Sequence, residues 1–439
     1  MSSLITAQFA HLVLDSRPEA SALSAARLGL IDYFACALPI AQGVLTDSGL
    51  AAVKKVFPPA SAENRALYFG YISHSLDFDD YHPALRGHPS TVVLSALLAL
   101  TDDNPDVDAL LTAYVIGVEA AGRLGLAAGI QHYQLGFHST ATLGAVAATA
   151  AAARYLQLTL HQTQIALGLA ATQAAGLRSQ FGSAAKPLHA GIAARAAVNA
   201  VLLAQLGFAG QPEGVIDSLL SSHGDGRQRP ELLTADWGAP WRILQPGLEF
   251  KRYPTCGGTH SAAEAAFILR ERLLEQGITV EDIPAAIAKI QVSFPPGADT
   301  APYIRRPSNG VEARFSLEYV IADALYSGSV PLMHYGEAPV DPNISALAAR
   351  VERHADLTAP PDELDAELRF HRVTLTLHDG RQLSDIVTRK QTAARQTDVG
   401  AKLRSILLLL PHLNGDRVIE DCALTQPAAL SRLIELLNQ

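Results

Sequence analysis

Residues 73–90 of this 439-residue chain read SHSLDFDDYHPALRGHPS. They hold three carboxylates (Asp77, Asp79, Asp80), three histidines (His74, His82, His88) and Arg86. Apolar, helix-forming sequence flanks them, with Leu67, Tyr68 and Phe69 before and residues 92–100 after. Ionisable side chains in such surroundings are costly unless they are paired or used. Four further stretches gather chemistry. Residues 136–140 (GFHST) place a glycine hinge and His138 at a helix start. Residues 181–191 (FGSAAKPLHAG) surround Lys186 with small residues and include His189, with Arg195 following. Residues 250–260 (FKRYPTCGGTH) carry Lys251 and Cys256, and residues 303–307 (YIRRP) carry Tyr303.

Carboxylate, imidazole and ammonium groups beside helix N-termini suit proton abstraction at a carbon next to a carboxylate. A histidine or lysine base would take the proton, while lysine, arginine and helix N-termini hold the anion and the developing enolate. A lysine buried among alanines and glycines binds its proton less tightly and can serve as base or acid. Plainer uses stand beside these. His74 can cap or pack, Asp79 and Asp80 can cap helices or pair with Arg86, and Arg195 can form an ion pair. His138 and His189 can be structural, and Cys256 an inert buried thiol. The three aspartates could instead surround Mg²⁺ in an all-α enzyme acting on diphosphates. That chemistry needs a second acidic motif, and residues 217–225 (DSLLSSHGD) are too sparse for one. A zinc site from His82, His88 and His138 lacks HxxxH or HExxH spacing.

These groups need a scaffold, and its period is helical from residue 4 to about 265. Residues 21–38, 90–100, 110–124, 140–156, 161–174 and 191–206 read as helices, with 125–136 as an interruption. Alanine on several faces points to helices packed closely among helices. After about residue 266 the pattern changes. Residues 287–294 alternate between prolines as a strand does, and residues 370–377 and 381–387 flank an Asp-Gly turn as a hairpin. Residues 311–326 and 344–351 read as helices within this part, and residues 402–410 and 428–437 return to helix. The expected fold is mainly α. A large all-α domain spans residues 1–266 and 396–439, and a smaller α+β domain spans 267–395.

Composition narrows the function classes. Hydrophobic residues are 49% of the chain and net charge is −9, which supplies a large core and argues against nucleic acid or an anionic membrane surface as partner. The three cysteines (Cys36, Cys256, Cys422) stand far apart, so a reducing, cytoplasmic setting is expected. The N-terminus reads as a first helix rather than a signal peptide. The alanine-rich run 141–153 is too short to span a bilayer.

The segments HSLDFDDYHPALRGHPS, GFHSTATLGAVAATAAAA, FGSAAKPLHAGIAAR, KRYPTCGGTH and EARFSLEYVIADAL resemble the successive signatures of the MmgE/PrpD family, in its order and spacing from about residue 20 to 330. That family includes dehydratases, decarboxylases and epimerases of small carboxylic acids. The resemblance implies a helical domain with an α+β lid, usually a homodimer, and no metal or organic cofactor. It places catalytic roles on Asp77, His88, His138, Lys186 and Lys251, with Tyr81, Arg86, Cys256 and Tyr303 expected to contact substrate. Departures are visible. The cis-aconitate decarboxylase branch carries threonine where this chain has Tyr81 and histidine where it has Cys256. The insertion typical of the 2-methylcitrate dehydratase branch is absent, and the short PxxRGHPS spacing looks more like the iminodisuccinate epimerase branch. The expectation is a cofactor-independent lyase, of dehydratase or decarboxylase type, acting on a small di- or tricarboxylic acid. An epimerase is the first alternative, and the Mg²⁺-dependent diphosphate enzyme or a ligand-binding relative without catalysis the others.

Overall fold

A computed structural model describes residues 5–362, 368–426 and 428–438. The helical body begins with α1 (Ile5–Asp15), α2 (Ala20–Ala41), α3 (Ser48–Val56), α4 (Ala62–His74) and α5 (Pro89–Ala99). It continues with α6 (Val107–Gln134), α7 (Ser139–Tyr155), α8 (Leu160–Ala171), α9 (Ala185–Gln205) and α10 (Val215–Ser222). Every residue of α5 is buried, as are residues 139–153 of α7. Small side chains on all faces let other helices close around them. The tightest approach is between α4 and α9. A Cβ on Gly70 would stand 2.8 Å from the Cα of Gly191, so this crossing tolerates only glycine. The two helices run antiparallel through it, which brings the last residue of α4, His74, beside the first turn of α9.

Two expectations shift. Helix α9 begins at Ala185 rather than 191, because Pro187 sits in the first turn, where no backbone N–H is needed. Helix α6 runs on to Gln134 with one break, at Gly129 (φ 72°). Helices α2, α6 and α9 have the length and apolar composition to cross a membrane, more so than the 141–153 run. In the fold 67%, 83% and 61% of their apolar windows are buried, so neighbouring helices cover most of that surface.

The second part is built on a four-stranded sheet of order β2-β1-β3-β4, with β1 (Ile287–Phe294), β2 (Val351–Ala355), β3 (Phe370–Leu377) and β4 (Gln382–Thr388). Strands β3 and β4 form the hairpin expected from the Asp-Gly turn, with Gly380 at φ 88°. Strand β2 pairs parallel to β1 and was not legible, since VERHA is short, charged and lacks an apolar alternation. α11 (His260–Glu275) and the helix Leu317–Ser327 pack against the sheet, and their apolar residues join those of β1 and β3 in a core of their own. That core starts at Ala262, so the division expected at 266/267 falls inside α11.

The chain then returns to the helical body. The helix Val399–Leu407 packs on α2, and its Lys402 Nζ donates to Asp32 Oδ1 at 2.7 Å and to the carbonyl of Phe78 at 2.6 Å. Burial works against the Lys402 ammonium, but the Asp32 carboxylate outweighs it and raises its pKa. Lys402→Ala would leave Asp32 buried without its cation. Equilibrium denaturation of that variant should show a loss of about 3–5 kcal/mol. A loss under 1 kcal/mol would mean that the pair does not hold the return helix in place.

Three interior histidines set a pH dependence. Burial lowers His82 to about 4 and both His260 and His371 to about 3. Their folded pKa values lie below the unfolded value near 6.5, so in acid the unfolded chain takes up protons that the native state refuses. Stability should therefore fall as pH drops from about 6.5 towards 4, by up to about 1.4 kcal/mol per pH unit for each histidine. Denaturant midpoints that do not change between pH 7.5 and 5 would contradict this.

Candidate active site

Asp77 is the meeting point. Its Oδ1 accepts from Lys186 Nζ at 2.9 Å and from Lys251 Nζ at 2.7 Å, and Lys251 Nζ also donates to the Asp77 carbonyl at 2.7 Å. The three residues come from the loop after α4, the first turn of α9 and the segment before α11. Paired backbone hydrogen bonds between Tyr81 and Glu249, 2.9 and 2.8 Å, pin that segment against the loop. Asp77 adopts φ 50°, a left-handed conformation that aspartate accepts more readily than most residues other than glycine. Burial works against its charge, but Lys186 and Lys251 outweigh burial and hold the carboxyl well below the usual range. Burial, with Lys251 nearby, lowers Lys186, and Asp77 opposes that shift.

Two histidines sit immediately before helices. His88 precedes Pro89 of α5, and its Nδ1 lies 2.6 Å from the carbonyl of Asp80. A carbonyl only accepts, so Nδ1 carries the proton and Nε2, 3.7 Å from Asp77 Oδ1, keeps its lone pair. His138 precedes α7, with its Nδ1 3.3 Å from Nδ1 of His189 and its buried Nε2 without a partner among the described residues. Burial lowers both histidines well below the usual value, so both are neutral. His74 ends α4. Its Nδ1 lies 2.8 Å from Asp79 Oδ2 and its Nε2 lies 2.7 Å from Lys186 Nζ.

Among the described residues the three aspartates do not form one ligand cluster, as a Mg²⁺ site would require, although His88 lies near both Asp77 and Asp79, at 3.7 and 3.4 Å. Asp77 faces the lysines. Asp79 faces His74 and His88, which hold it ionised against burial. Asp80 is bonded by Ser90, which also contacts Tyr114, and burial together with the nearby Asp32 raises its pKa well above the usual range. Ligand atoms of His74, Asp79 and His88 lie within 4.8 Å of one another, close enough to hold a cation. Both nitrogens of His74 are already committed, however, and a cation there would stand beside the Lys186 ammonium. His82, expected as a possible zinc ligand, instead meets the carbonyl of Arg242 at 3.2 Å.

Asp77, His88, His138, Lys186 and Lys251 all line one cavity of about 870 Å³ that lies between the helical body and the α+β part. Tyr81, Arg86 and Cys256 line it too. The Cys256 thiol, raised by burial, forms an apolar wall with Phe181 and Phe315. Tyr303 does not line the cavity. Its hydroxyl donates to the carbonyl of Phe181 at 3.0 Å and so buttresses that wall from behind. Three residues gain importance over the sequence reading. Arg178 lines the cavity, stacks 4.0 Å over the Tyr133 ring and leaves its buried Nε without a partner among the described residues. His189 touches His138 from one turn beyond Lys186 on α9, a spacing that was visible. His74 touches Lys186, which no local spacing could reveal, because the contact depends on the α4–α9 crossing.

Comparison with known proteins agrees with this architecture. The family model for the MmgE/PrpD N-terminal domain matches residues 5–219, and that for the MmgE/PrpD C-terminal domain matches residues 253–407. The chain is similar to a protein named cis-aconitate decarboxylase from Homo sapiens, 31% identical over 343 residues that cover 75% of this chain and 67% of the human protein. The protein of that name from Mus musculus gives the same identity and coverage. A cis-aconitate decarboxylase from Aspergillus terreus is 26% identical over 99% of this chain and 96% of its own length. Two domain matches in order, together covering most of the residues that build the cavity, make this chain a member of the MmgE/PrpD family.

Proposed function

We propose that this chain is a lyase that needs no metal or organic cofactor and acts on a small di- or tricarboxylic acid, with cis-aconitate the first acid to test. The observation that carries this reading is the convergence of two ammonium groups and two neutral imidazoles on one enclosed floor. Lys186 and Lys251 supply positive charge where an enolate-like intermediate would develop. They act in a buried site, where charge stabilisation is strong. His88 presents an Nε2 lone pair. His138 offers an unpartnered Nε2, which carries a proton when its Nδ1 accepts from His189. In a decarboxylation, the C–C bond electrons stay on the substrate as CO₂ leaves. A proton then passes from nitrogen to carbon, breaking an N–H bond and forming a C–H bond. In a dehydration, a base removes the proton next to the carboxylate and an acid protonates the departing hydroxyl. Arg86 and Arg178 both line the cavity, and both suit the substrate's remaining carboxylates. The names of the relatives favour the lyase over the epimerase that the short motif spacing suggested.

The test is incubation with cis-aconitate, citrate, 2-methylcitrate and iminodisuccinate in D₂O, followed by NMR. A lyase loses CO₂ or water, and a decarboxylase leaves deuterium at the reprotonated carbon. Exchange or inversion without loss would sink the lyase and favour the epimerase. Activity should be unchanged in EDTA, and a loss reversed by Mg²⁺ would overturn the cofactor-free reading. His88→Ala and Lys186→Ala should each lower kcat by about 100-fold or more while the protein stays folded. Near-normal turnover in either would remove that residue from the site. Arg178→Ala should raise KM about 10-fold with little change in kcat, as loss of uniform binding does.

A further inference from the structure

Lys186 is held by more than Asp77. Behind it, away from the cavity lining, stands a buried pair that the reaction as drawn does not use. His74 Nε2 lies 2.7 Å from Lys186 Nζ, and His74 Nδ1 lies 2.8 Å from Asp79 Oδ2. His74 is 1% exposed and Asp79 2%. The ammonium of Lys186 can only donate, so Nε2 of His74 accepts and its proton sits on Nδ1, facing the carboxylate. With Asp77 Oδ1 and His74 Nε2 as acceptors, Lys186 has one position left for the cavity.

We propose that His74 and Asp79 form an internal proton partner for Lys186, so that the lysine can become a neutral amine without exchanging a proton with water. The step moves one proton along the 2.7 Å contact. An N–H bond of Lys186 breaks, an N–H bond forms at His74 Nε2, and the electron pair stays on Nζ. His74 becomes an imidazolium against the Asp79 carboxylate. The total charge of the cluster is unchanged, and no other reactant is needed. The groups that face His74 from the surrounding elements set this balance. Burial is the largest influence and lowers His74. Against burial, Asp79 favours the imidazolium, as does the more distant Asp77. Lys186 opposes it, and His88, His138 and His189 add no charge while neutral. His74 and Asp79 are positioning residues in this scheme, because they reach the substrate only through Lys186.

The inference rests on the reading that Lys186 transfers a proton, and the test separates the two. Competitive acetylation by acetic anhydride, followed by peptide mass spectrometry, measures the neutral-amine fraction of Lys186 and of Lys251 against pH, with no substrate present. In the unaltered protein, Lys186 labelling should level off below its titration, since a fixed fraction of molecules carries the proton on His74. In His74→Gln the amide oxygen still accepts the hydrogen bond but cannot take a proton. The plateau should vanish, with labelling of Lys186 near pH 7 reduced about 10-fold or more and Lys251 little affected. Asp79→Asn should give the same loss with His74 in place, which covers the case of a His74 variant that fails to fold. With a turned-over acid, His74→Gln should lower kcat about 10-fold or more with KM nearly constant and move the rising limb of the pH–rate profile upwards. Identical Lys186 labelling in the folded variants and the parent would overturn the proton partner. Full activity in Lys186→Ala would instead overturn the catalytic reading, whatever the labelling shows.

Discussion

The site depends on one carboxylate shared by two ammonium groups. Asp77 Oδ1 takes Lys186 and Lys251 at 2.9 and 2.7 Å in a place almost closed to water. Three buried charges of unequal sign would be prohibitive alone. Asp79 completes the balance from behind His74, so two carboxylates offset two ammonium groups across a short chain of hydrogen bonds. This arrangement explains the left-handed backbone at Asp77. The residue must turn its side chain towards Lys186 while its own carbonyl accepts from Lys251, and a helical continuation of α4 would not allow both.

Packing delivers these groups to one point. The glycine contact between α4 and α9 sets how near His74 and Lys186 can come. A Cβ at either Gly70 or Gly191 would push the helices apart by more than a hydrogen bond tolerates. His88 and His138 occupy the position before the first turn of α5 and α7, so their rings project from rigid helix starts instead of mobile loops. Gly87 lies so close to Thr140 that a Cβ would meet its backbone nitrogen at 2.8 Å, and Thr140 Oγ1 accepts from the His88 N–H at 3.0 Å. The two histidine-bearing helix starts are thereby fixed to each other. Arg314, from the α+β part, reaches the carbonyl of Ser75 and ties that part to the same loop.

Much of this was legible because the chemistry is clustered in sequence. Charged side chains within an apolar helical chain marked residues 73–90, and small residues around Lys186 marked a lysine that helices enclose. The change from a period of 3.6 to a period of 2 separated the two parts and placed β1, β3 and β4. What stayed hidden depends on tertiary distance. His74 and Asp79 looked like packing and capping groups because their partners are 112 residues away or across a non-helical turn. Arg178 carries no motif, and it stands at the cavity with the Tyr133 ring beneath it. Tyr303, expected to contact substrate, lies behind the cavity wall, where its hydroxyl donates to the carbonyl of Phe181.

Adjacent aspartates illustrate how position divides one sequence motif into different chemical states. Asp79 looks towards His74 and His88 and stays ionised. Asp80 looks the other way, towards Asp32 and the hydroxyls of Ser90 and Tyr114, and burial, with Asp32 nearby, raises its carboxyl well above the usual range. Asp32 in turn is held by Lys402, which also takes the carbonyl of Phe78, the residue between Asp77 and Asp79. The C-terminal return therefore does more than close the helical body. Its lysine pairs with Asp32, whose charge raises Asp80, and anchors the backbone from which Asp77 and Asp79 project. If that lysine were lost, the charge behind the loop would be uncompensated, and the balance that leaves Asp79 ionised beside His74 would shift with it. The far end of the chain thus helps to set the protonation of a site assembled more than 300 residues earlier in sequence.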